Sequence, residues 1–240
     1  MSPIPSFVTN AVERLLFKSV VVSEVRNIGP RFRLVHLEGK GFEGVKWVPG
    51  QTAQFHLGNL MARAYTPMDL DSKNGSARFL FYLHGGGPGS TWASSLKIGD
   101  GCLVMRPKDS LDFASFHGPA IFFGDETSFA AAQALHHNHN DGVNIHYVFE
   151  VSSPADVALV IEELGLDNTS VIQRNPNDSH IETVVKTLME KAMLLDSPQW
   201  FLTGMALSIQ QIRKRLRALA FSTPKLKVKA YWLPGKVGLD

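Results

Sequence analysis

Residues 120–136 have the sequence AIFFGDETSFAAAQALH, from which the fold of the second half of the chain can be predicted. A short apolar run, a polar turn and an alanine-rich segment follow one another, which predicts a buried strand at residues 120–124, a turn, and a helix at residues 128–136. The same strand-then-helix pattern recurs at residues 144–164, 170–193 and 199–219, and a last strand is predicted at Leu226–Trp232. Strands that alternate with helices predict a parallel sheet with helices on its faces.

The first half of the chain has short runs of β-branched and aromatic residues instead. The predicted strands are residues 20–25, 31–37, 54–57, 78–83 and 101–105. Turn signals such as Pro49-Gly50 and Lys73-Asn74-Gly75 separate them, which favours an antiparallel barrel or sandwich. The fold class expected is therefore a two-domain α+β protein, with an N-terminal antiparallel β-barrel followed by an α/β parallel-sheet domain. We place the domains at residues 1–115 and 116–240.

Composition and charge narrow the classes of function. A formal net charge of +2 is too mild for a nucleic-acid-binding protein, which concentrates Lys and Arg in one patch. A membrane-spanning helix needs about 18 consecutive apolar residues, and no apolar run in the sequence is that long. Residues Met1–Phe7 lack the pattern of a signal peptide. Cys102 is the only cysteine, so neither an intrachain disulfide nor a thiolate metal cluster can form. We expect a cytoplasmic protein without membrane insertion.

Two segments of the barrel region are candidates for ligand binding. The first is Arg63-Ala64-Tyr65-Thr66-Pro67, in which the arginine suits a pyrophosphate and the tyrosine can lie on a flat ring. The second is His84-Gly85-Gly86-Gly87-Pro88-Gly89-Ser90-Thr91-Trp92-Ala93, before a predicted short helix, where main-chain N–H groups can bind an anion. The alternatives are an ordinary strand with an exposed arginine, and a flexible loop before a helix capped by Ser90.

Taken together and in this order, the two segments resemble the siderophore-interacting protein family, a branch of the ferredoxin-reductase-like flavoenzymes. That family has an Arg-x-Tyr-Thr stretch on one barrel strand and a His-Gly…Gly-Pro-x-Ser-x-Trp-Ala stretch after the next. Further matches are Pro49-Gly50-Gln51, Gly124-Asp125-Glu126-Thr127 and Tyr231-Trp232, so the resemblance covers nearly the whole chain.

The resemblance implies that the barrel domain binds FAD and that the α/β domain binds NAD(P)H. Arg63 would bind the FAD pyrophosphate, Tyr65 the isoalloxazine and ribityl chain, and Thr66 would lie near flavin N5, with Ala64 in the same stretch. The other barrel residues implied, beside the ring or around the diphosphate and adenine, are His84, Gly85, Gly87, Pro88, Gly89, Ser90, Thr91 and Trp92. In the α/β domain the residues implied near the nicotinamide and flavin are Asp125, Glu126, Thr127 and Trp232.

Two departures from the family pattern concern the nucleotide. Leu233 stands where the family commonly has an arginine after its terminal Tyr-Trp pair, and Met205 stands where it has a glutamate. Glu150 ends the second predicted strand of the α/β domain and is a candidate partner for a ribose 2′-hydroxyl, by analogy with other dinucleotide folds. The choice among NADH, NADPH and ferredoxin as donor stays open at this point.

An anionic ferric chelate needs a positively charged approach surface. The candidates are Lys225, Lys227, Lys229 and Lys236, although lysines also protect an exposed strand edge from pairing with other chains. Residues 213–217 carry a second basic cluster, which we interpret as a solvated helix face rather than a phosphate site.

No metal site is predicted. The histidines close together in sequence are His136, His137, His139 and His146, and we interpret them as caps of a helix C-terminus in solvent rather than zinc ligands. Cys102 is predicted to be a buried small hydrophobic residue.

The function implied is a flavin-dependent reductase that transfers electrons from NAD(P)H through FAD to a ferric siderophore and releases iron(II). The cofactor would carry out the redox chemistry, so no acid–base catalytic residue is expected. Two alternatives are kept: a generic flavoprotein electron carrier fed by ferredoxin or another donor, and a non-enzymatic protein that binds a ferric chelate.

Overall fold

A computed structural model describes residues 17–58, 61–108, 110–139, 143–223 and 225–236. The chain divides into two compact units, the β-unit (Met1–Ser110) and the α/β unit (Leu111–Asp240). The division lies a few residues before the boundary expected from the sequence. The expectation that no signal peptide is present concerns Met1–Phe7, which lie outside the described residues.

The β-unit is built on a seven-stranded antiparallel sheet with the order β4-β3-β7-β1-β2-β6-β5. Its elements are β1 (Phe17–Ile28), β2 (Phe32–Glu38), β3 (Thr52–Gly58), β4 (Met61–Tyr65), β5 (Pro67–Asp71), β6 (Ser76–Tyr82), α1 (Pro88–Ser95) and β7 (Gly101–Lys108). The two edge strands, β4 and β5, are separated in sequence only by Thr66. Because consecutive residues are only a few ångströms apart, the sheet must curl until its edges approach each other, which confirms the predicted antiparallel barrel class.

Alternating burial along the strands creates the core of the β-unit. In β1, Val20 and Val22 are buried whereas Val21, between them, is 45% exposed. The same period of two aims Phe79 and Phe81 of β6 at the core. β5 was not predicted as a separate strand; it begins with Pro67, which an edge strand tolerates because that position need not donate to the ladder.

The α/β unit has a five-stranded sheet with the order β10-β9-β8-β11-β12, in which every neighbouring pair is parallel. Its elements are β8 (Ala120–Gly124), a 3-10 turn (Glu126–Ser128), α2 (Phe129–Asn138), β9 (Ile145–Val151), α3 (Pro154–Glu163), β10 (Thr169–Gln173), α4 (His180–Ala192), β11 (Gln199–Met205), α5 (Ala206–Ala218) and β12 (Leu226–Trp232). The predicted parallel sheet is therefore confirmed, and β12 has the bounds expected from the sequence.

The strand order reverses between β8 and β11 in the α/β unit. In open sheets of this kind, ligands bind outside the carboxyl ends of the strands at such a reversal. The residues at the carboxyl ends of β8 and β11 are therefore the candidates for a ligand site in this unit. Among the described residues, no helix is both long enough and apolar enough to cross a membrane.

Candidate functional site

In the β-unit, strand β4 lies against the first turn of helix α1. A Cβ atom added to Gly89 would collide with the hydroxyl oxygen of Tyr65 and would lie 3.5 Å from Cγ of Arg63. Glycine is the residue that permits this close approach of backbone to side chain. The two segments singled out in the sequence are therefore in contact.

The start of helix α1 has the features of an anion-binding cradle. Gly87 is the N-cap with φ of 88°, the helix has no side-chain cap, and Pro88 has no N–H to offer. The amides of Gly89 and Ser90, in the first turn, have no acceptor within the helix. The Ser90 hydroxyl is buried and accepts a hydrogen bond from the Gly85 N–H at 3.3 Å, which links the glycine loop, residues 85–87, to the helix. Around Gly85 a Cβ would meet nothing within 4 Å, so this side of the loop is open.

Aromatic packing holds Tyr65 in place behind this cradle. Its ring is stacked on Trp92 at 6.4 Å and meets Phe81 edge-on at 4.7 Å. Burial raises the pKa of Tyr65 to about 12, with Arg63 opposing the shift, so the hydroxyl is protonated at neutral pH and can donate a hydrogen bond. Trp92 also packs on Phe55 at 5.3 Å, so its side chain supports the cradle from the barrel core.

In the α/β unit, Asp125 lies immediately after β8 and is almost fully buried. Its Oδ1 accepts hydrogen bonds from the Thr127 N–H at 2.9 Å and the Thr127 hydroxyl at 2.5 Å, and its Oδ2 accepts from Nε1 of Trp232 at 2.7 Å. The Asp125 N–H in turn donates to Ser128 Oγ at 3.2 Å. Asp125 thus caps the following turn and joins the ends of β8 and β12.

Gly204, near the end of β11, leaves room for this carboxylate. Its φ is 95°, and a Cβ there would lie 2.5 Å from Oδ2 of Asp125. Burial raises the pKa of Asp125 to about 6, with the hydrogen bond from Thr127 opposing the shift. Asp125 is thus a buried carboxylate held mainly by neutral donors.

Arg174 follows β10 and connects several of these elements. Its guanidinium donates to Glu126 Oε2 at 3.0 Å, to Ser152 Oγ at 3.1 Å and to the Glu150 carbonyl oxygen at 3.2 Å. Its Cζ also lies 5.8 Å from the centre of the Trp232 ring, within the range of a cation–π contact. Sequence reasoning missed Arg174; the available signal was its position directly after a predicted strand.

Glu150 is fully buried and satisfied by internal partners. Its Oε1 accepts from the Ser208 hydroxyl at 2.6 Å, and its Oε2 lies 3.0 Å from Nε2 of His180. Because the Asn175 N–H donates to Nδ1 of His180 at 3.1 Å, Nε2 is the nitrogen that carries the proton toward Glu150. The suggested contact of Glu150 with a ribose 2′-hydroxyl is therefore wrong, since both carboxylate oxygens are used inside the protein.

Family comparisons agree with this geometry. Residues 118–235 match the family model described as siderophore-interacting protein, and residues 56–111 match the one described as siderophore-interacting FAD-binding domain. The chain belongs to the siderophore-interacting protein family. The part matched by the FAD-binding domain contains β4, the glycine loop and α1, which are the elements that form the cradle.

Solved structures of this family and of ferredoxin reductases share the two-domain fold. A siderophore utilization protein from T. fusca has a TM-score of 0.69 at 20% identity, covering 93% of this chain and 95% of that one. The siderophore-interacting protein SipS from Aeromonas hydrophila has a TM-score of 0.72 at 18% identity, with 92% and 93% covered. Ferredoxin-NADP+ reductase from Plasmodium falciparum has a TM-score of 0.69 at 14% identity, with 90% and 96% covered. A comparison with curated proteins found no match.

The four lysines proposed for the chelate do not form one cluster. Lys225 and Lys227 line a pocket of about 360 Å³, together with the segments 115–119 and 196–199, at the amino-terminal edge of the sheet. Lys229 is in the middle of β12, and Lys236 is exposed beyond its carboxyl end. A strand rises about 3.3 Å per residue, so Lys225 is roughly 20 Å from Trp232 along β12.

His146 departs from the expectation of a helix cap in solvent, because it is buried on β9. His139 is the C-cap residue of α2, and its ring lies between the carbonyl oxygens of Leu135 at 2.7 Å and Phe116 at 2.9 Å. Within the described ranges no group of three or more potential metal ligands occurs. Cys102 is buried as predicted, and burial raises its pKa to about 11.

We expect the buried Asp125 to make the α/β unit less stable as the pH rises. Because its pKa is about 6 when folded and 3.8 when unfolded, the folded state binds the proton more tightly. Its stabilising contribution is complete below the unfolded pKa and is lost as the pH rises through about 6. Urea unfolding of the protein and of Asp125→Asn between these pH values measures the effect, and equal slopes against pH would contradict it.

Proposed function

We propose that the chain is a flavin-dependent reductase that passes electrons from NADH or NADPH through FAD to a ferric siderophore. One nucleotide gives up a hydride, which carries two electrons, so two iron(III) ions become iron(II) and one proton is released. The observation that carries the proposal is the contact of Gly89 with Tyr65 and Arg63, which joins both family motifs in one cradle. Iron(II) is held less tightly by an oxygen-rich chelator and leaves it more easily.

The residues of the β-unit fit the binding of FAD. The free amides at the start of α1 and the guanidinium of Arg63 supply donors for a diphosphate. At present Arg63 donates to the carbonyl oxygen of its neighbour Ala62 at 2.7 Å, which leaves other guanidinium N–H groups for a ligand. Tyr65 would donate its hydroxyl proton to a ribityl or phosphate oxygen. The bound flavin would supply the chemistry of accepting a hydride and giving electrons singly.

The residues of the α/β unit fit a role in orienting the nicotinamide nucleotide. Asp125 and Arg174 fix the Trp232 indole from its N–H edge and from its face. An indole held at both places presents one fixed apolar surface at the carboxyl edge of the sheet. The exposed residue Thr127 lies beside it and completes the polar side of this edge.

The lysines have different roles in this proposal. Lys229 lies in the middle of β12, and Lys236 lies in the turn after Trp232. Both are closer to the carboxyl edge of the sheet than Lys225 is, so they are the better candidates for attracting an anionic chelate. Lys225 and Lys227 lie at the opposite edge. They would contribute to the long-range field rather than to direct contact.

The test is anaerobic mixing of the purified protein. We expect a yellow protein with a flavin absorption spectrum, which NADH or NADPH bleaches and which a ferric siderophore then restores. A coloured protein that neither nucleotide bleaches would overturn the proposal in favour of an electron carrier fed by ferredoxin or another donor. A protein that binds the ferric siderophore but lacks flavin would be the non-enzymatic binding protein.

A further inference from the structure

The carboxyl edge of the α/β sheet also bears on which nucleotide is used. NADPH differs from NADH by a 2′-phosphate, which adds between one and two negative charges at neutral pH, as a phosphate monoester with a second pKa of about 6 does. In doubly wound sheets the ribose that carries it lies near the end of the second strand, and a nearby arginine accommodates the phosphate. Here the second strand is β9, and Arg174 is the arginine beside its end.

Arg174 is already committed to internal partners. Its Nη2 donates to Glu126 and to the Glu150 carbonyl, its Nη1 donates to Ser152, and its side chain is only 19% exposed. Glu126 is itself anchored, because its Oε1 accepts from the Ser152 N–H at 2.6 Å. Nε of Arg174 makes no hydrogen bond but lies 3.7 Å from Oε1 of Glu150, so a phosphate would have to compete with Glu126 and Glu150 for this guanidinium.

The balance of charge around Arg174 is negative. Three carboxylates, those of Asp125, Glu126 and Glu150, face this one guanidinium. The neighbouring titratable side chain on α4 is His180, whose Nδ1 accepts a backbone N–H. Asp156, in the first turn of α3, adds a further acidic residue near the end of β9. A 2′-phosphate beside Arg174 would therefore meet an excess of negative charge.

The helix start after β8 offers no alternative anchor. In many dinucleotide folds the first helix binds phosphate through its free amides. In this chain the Asp125 carboxylate already accepts from the Thr127 amide, and the Ser128 hydroxyl accepts from the Asp125 amide. The Thr127 amide is therefore not available to a 2′-phosphate.

We propose that this edge discriminates against a 2′-phosphate, that NADH rather than NADPH is the electron donor, and that Glu126 sets the preference by occupying Arg174. The inference rests on the proposed function and makes its donor specific. Glu126→Gln keeps an acceptor for the Ser152 amide but removes the charge that holds Arg174.

Binding without redox chemistry is the first test. In calorimetric titrations of the flavin-loaded protein, 5′-AMP should bind more tightly than adenosine 2′,5′-bisphosphate. Glu126→Gln should reduce the ratio of the two affinities about tenfold, because it removes one charge near a partly buried site. In anaerobic flavin reduction the ratio of kcat/KM for NADPH to that for NADH should rise by the same factor. The matched control is Glu182→Gln, which removes an exposed carboxylate that pairs with Arg215 on α5, and it should leave both ratios unchanged.

Ionic strength provides a test on the unmodified protein: because Glu126 and Glu150 are buried, salt screens their charges only weakly, and the preference should persist when the salt concentration is raised. Tighter binding of the bisphosphate, no binding of either adenosine phosphate, or a ratio that Glu126→Gln does not change would each overturn the inference. If neither nucleotide reduces the flavin, the proposed function fails, whereas the two adenosine phosphates still report on the preference itself.

Discussion

Gly89→Ala is expected to yield a folded protein that has lost its flavin. The added methyl group would collide with the Tyr65 hydroxyl, and Tyr65 cannot move away because Phe81 and Trp92 hold its ring. The first turn of α1 must then move away from β4, which separates the donors that a diphosphate needs. We expect FAD affinity to fall by at least about a hundredfold, equivalent to roughly 3 kcal/mol. The ratio of flavin to protein absorbance after gel filtration measures it.

The same glycine loop provides the control. Gly86 does not have a positive φ, and a Cβ there would meet only Nδ1 of His84, at 4.0 Å. Gly86→Ala should therefore remain yellow. Circular dichroism separates loss of flavin from loss of fold. A folded Gly89→Ala protein with full flavin content would show that the contact of β4 with α1 does not form the cradle.

Glu150→Ala is expected to lower the free energy of unfolding of the α/β unit by about 3–5 kcal/mol, the range for breaking a buried ion pair by removing one partner. The substitution leaves the Ser208 hydroxyl and the His180 Nε2 proton without an acceptor and Arg174 without one of its carboxylates. It also opens a cavity in a fully buried position. Urea unfolding followed by circular dichroism measures the loss.

Glu190→Ala is the matched control for this prediction. Glu190 forms an exposed pair with Lys186 one helical turn away, at 3.8 Å. Such a pair contributes about 0.5 kcal/mol or less. A loss below about 0.5 kcal/mol for Glu150→Ala would show that the buried network is not a source of stability, since surface substitutions usually stay within that size.

Local sequence patterns were sufficient for most elements of the fold. The strands Ala120–Gly124 and Leu226–Trp232 have the bounds expected from the sequence, because the apolar run of the first and the alternating apolar and charged residues of the second are visible in the strand residues alone. The separation of β4 from β5 was missed. The chain continues through Thr66 without a turn signal, and what divides the two strands is that they lie on opposite edges of the sheet.

The start of α2 shows the same limit on a smaller scale. The sequence predicts a helix from Ser128, whereas the structure has a 3-10 turn at Glu126–Ser128 before the helix begins at Phe129. Asp125 and Ser128 cap each other there, and the Asp125 carboxylate is also held by Trp232. A side chain more than a hundred residues away thus takes part in fixing the start of this helix.

The two-domain class, the family motifs and the candidate FAD residues could be predicted from the amino-acid sequence, because they depend on residues close together along the chain. Which of these residues are in contact became known only from the folded chain. Gly89 is in contact with Tyr65, and Arg174 contacts Glu126 and Trp232. Glu150 is fully buried, and Lys225 lies at the opposite end of β12 from Trp232. Strand order and register set these distances, and both result from burying the whole apolar surface at once rather than from any single stretch of residues.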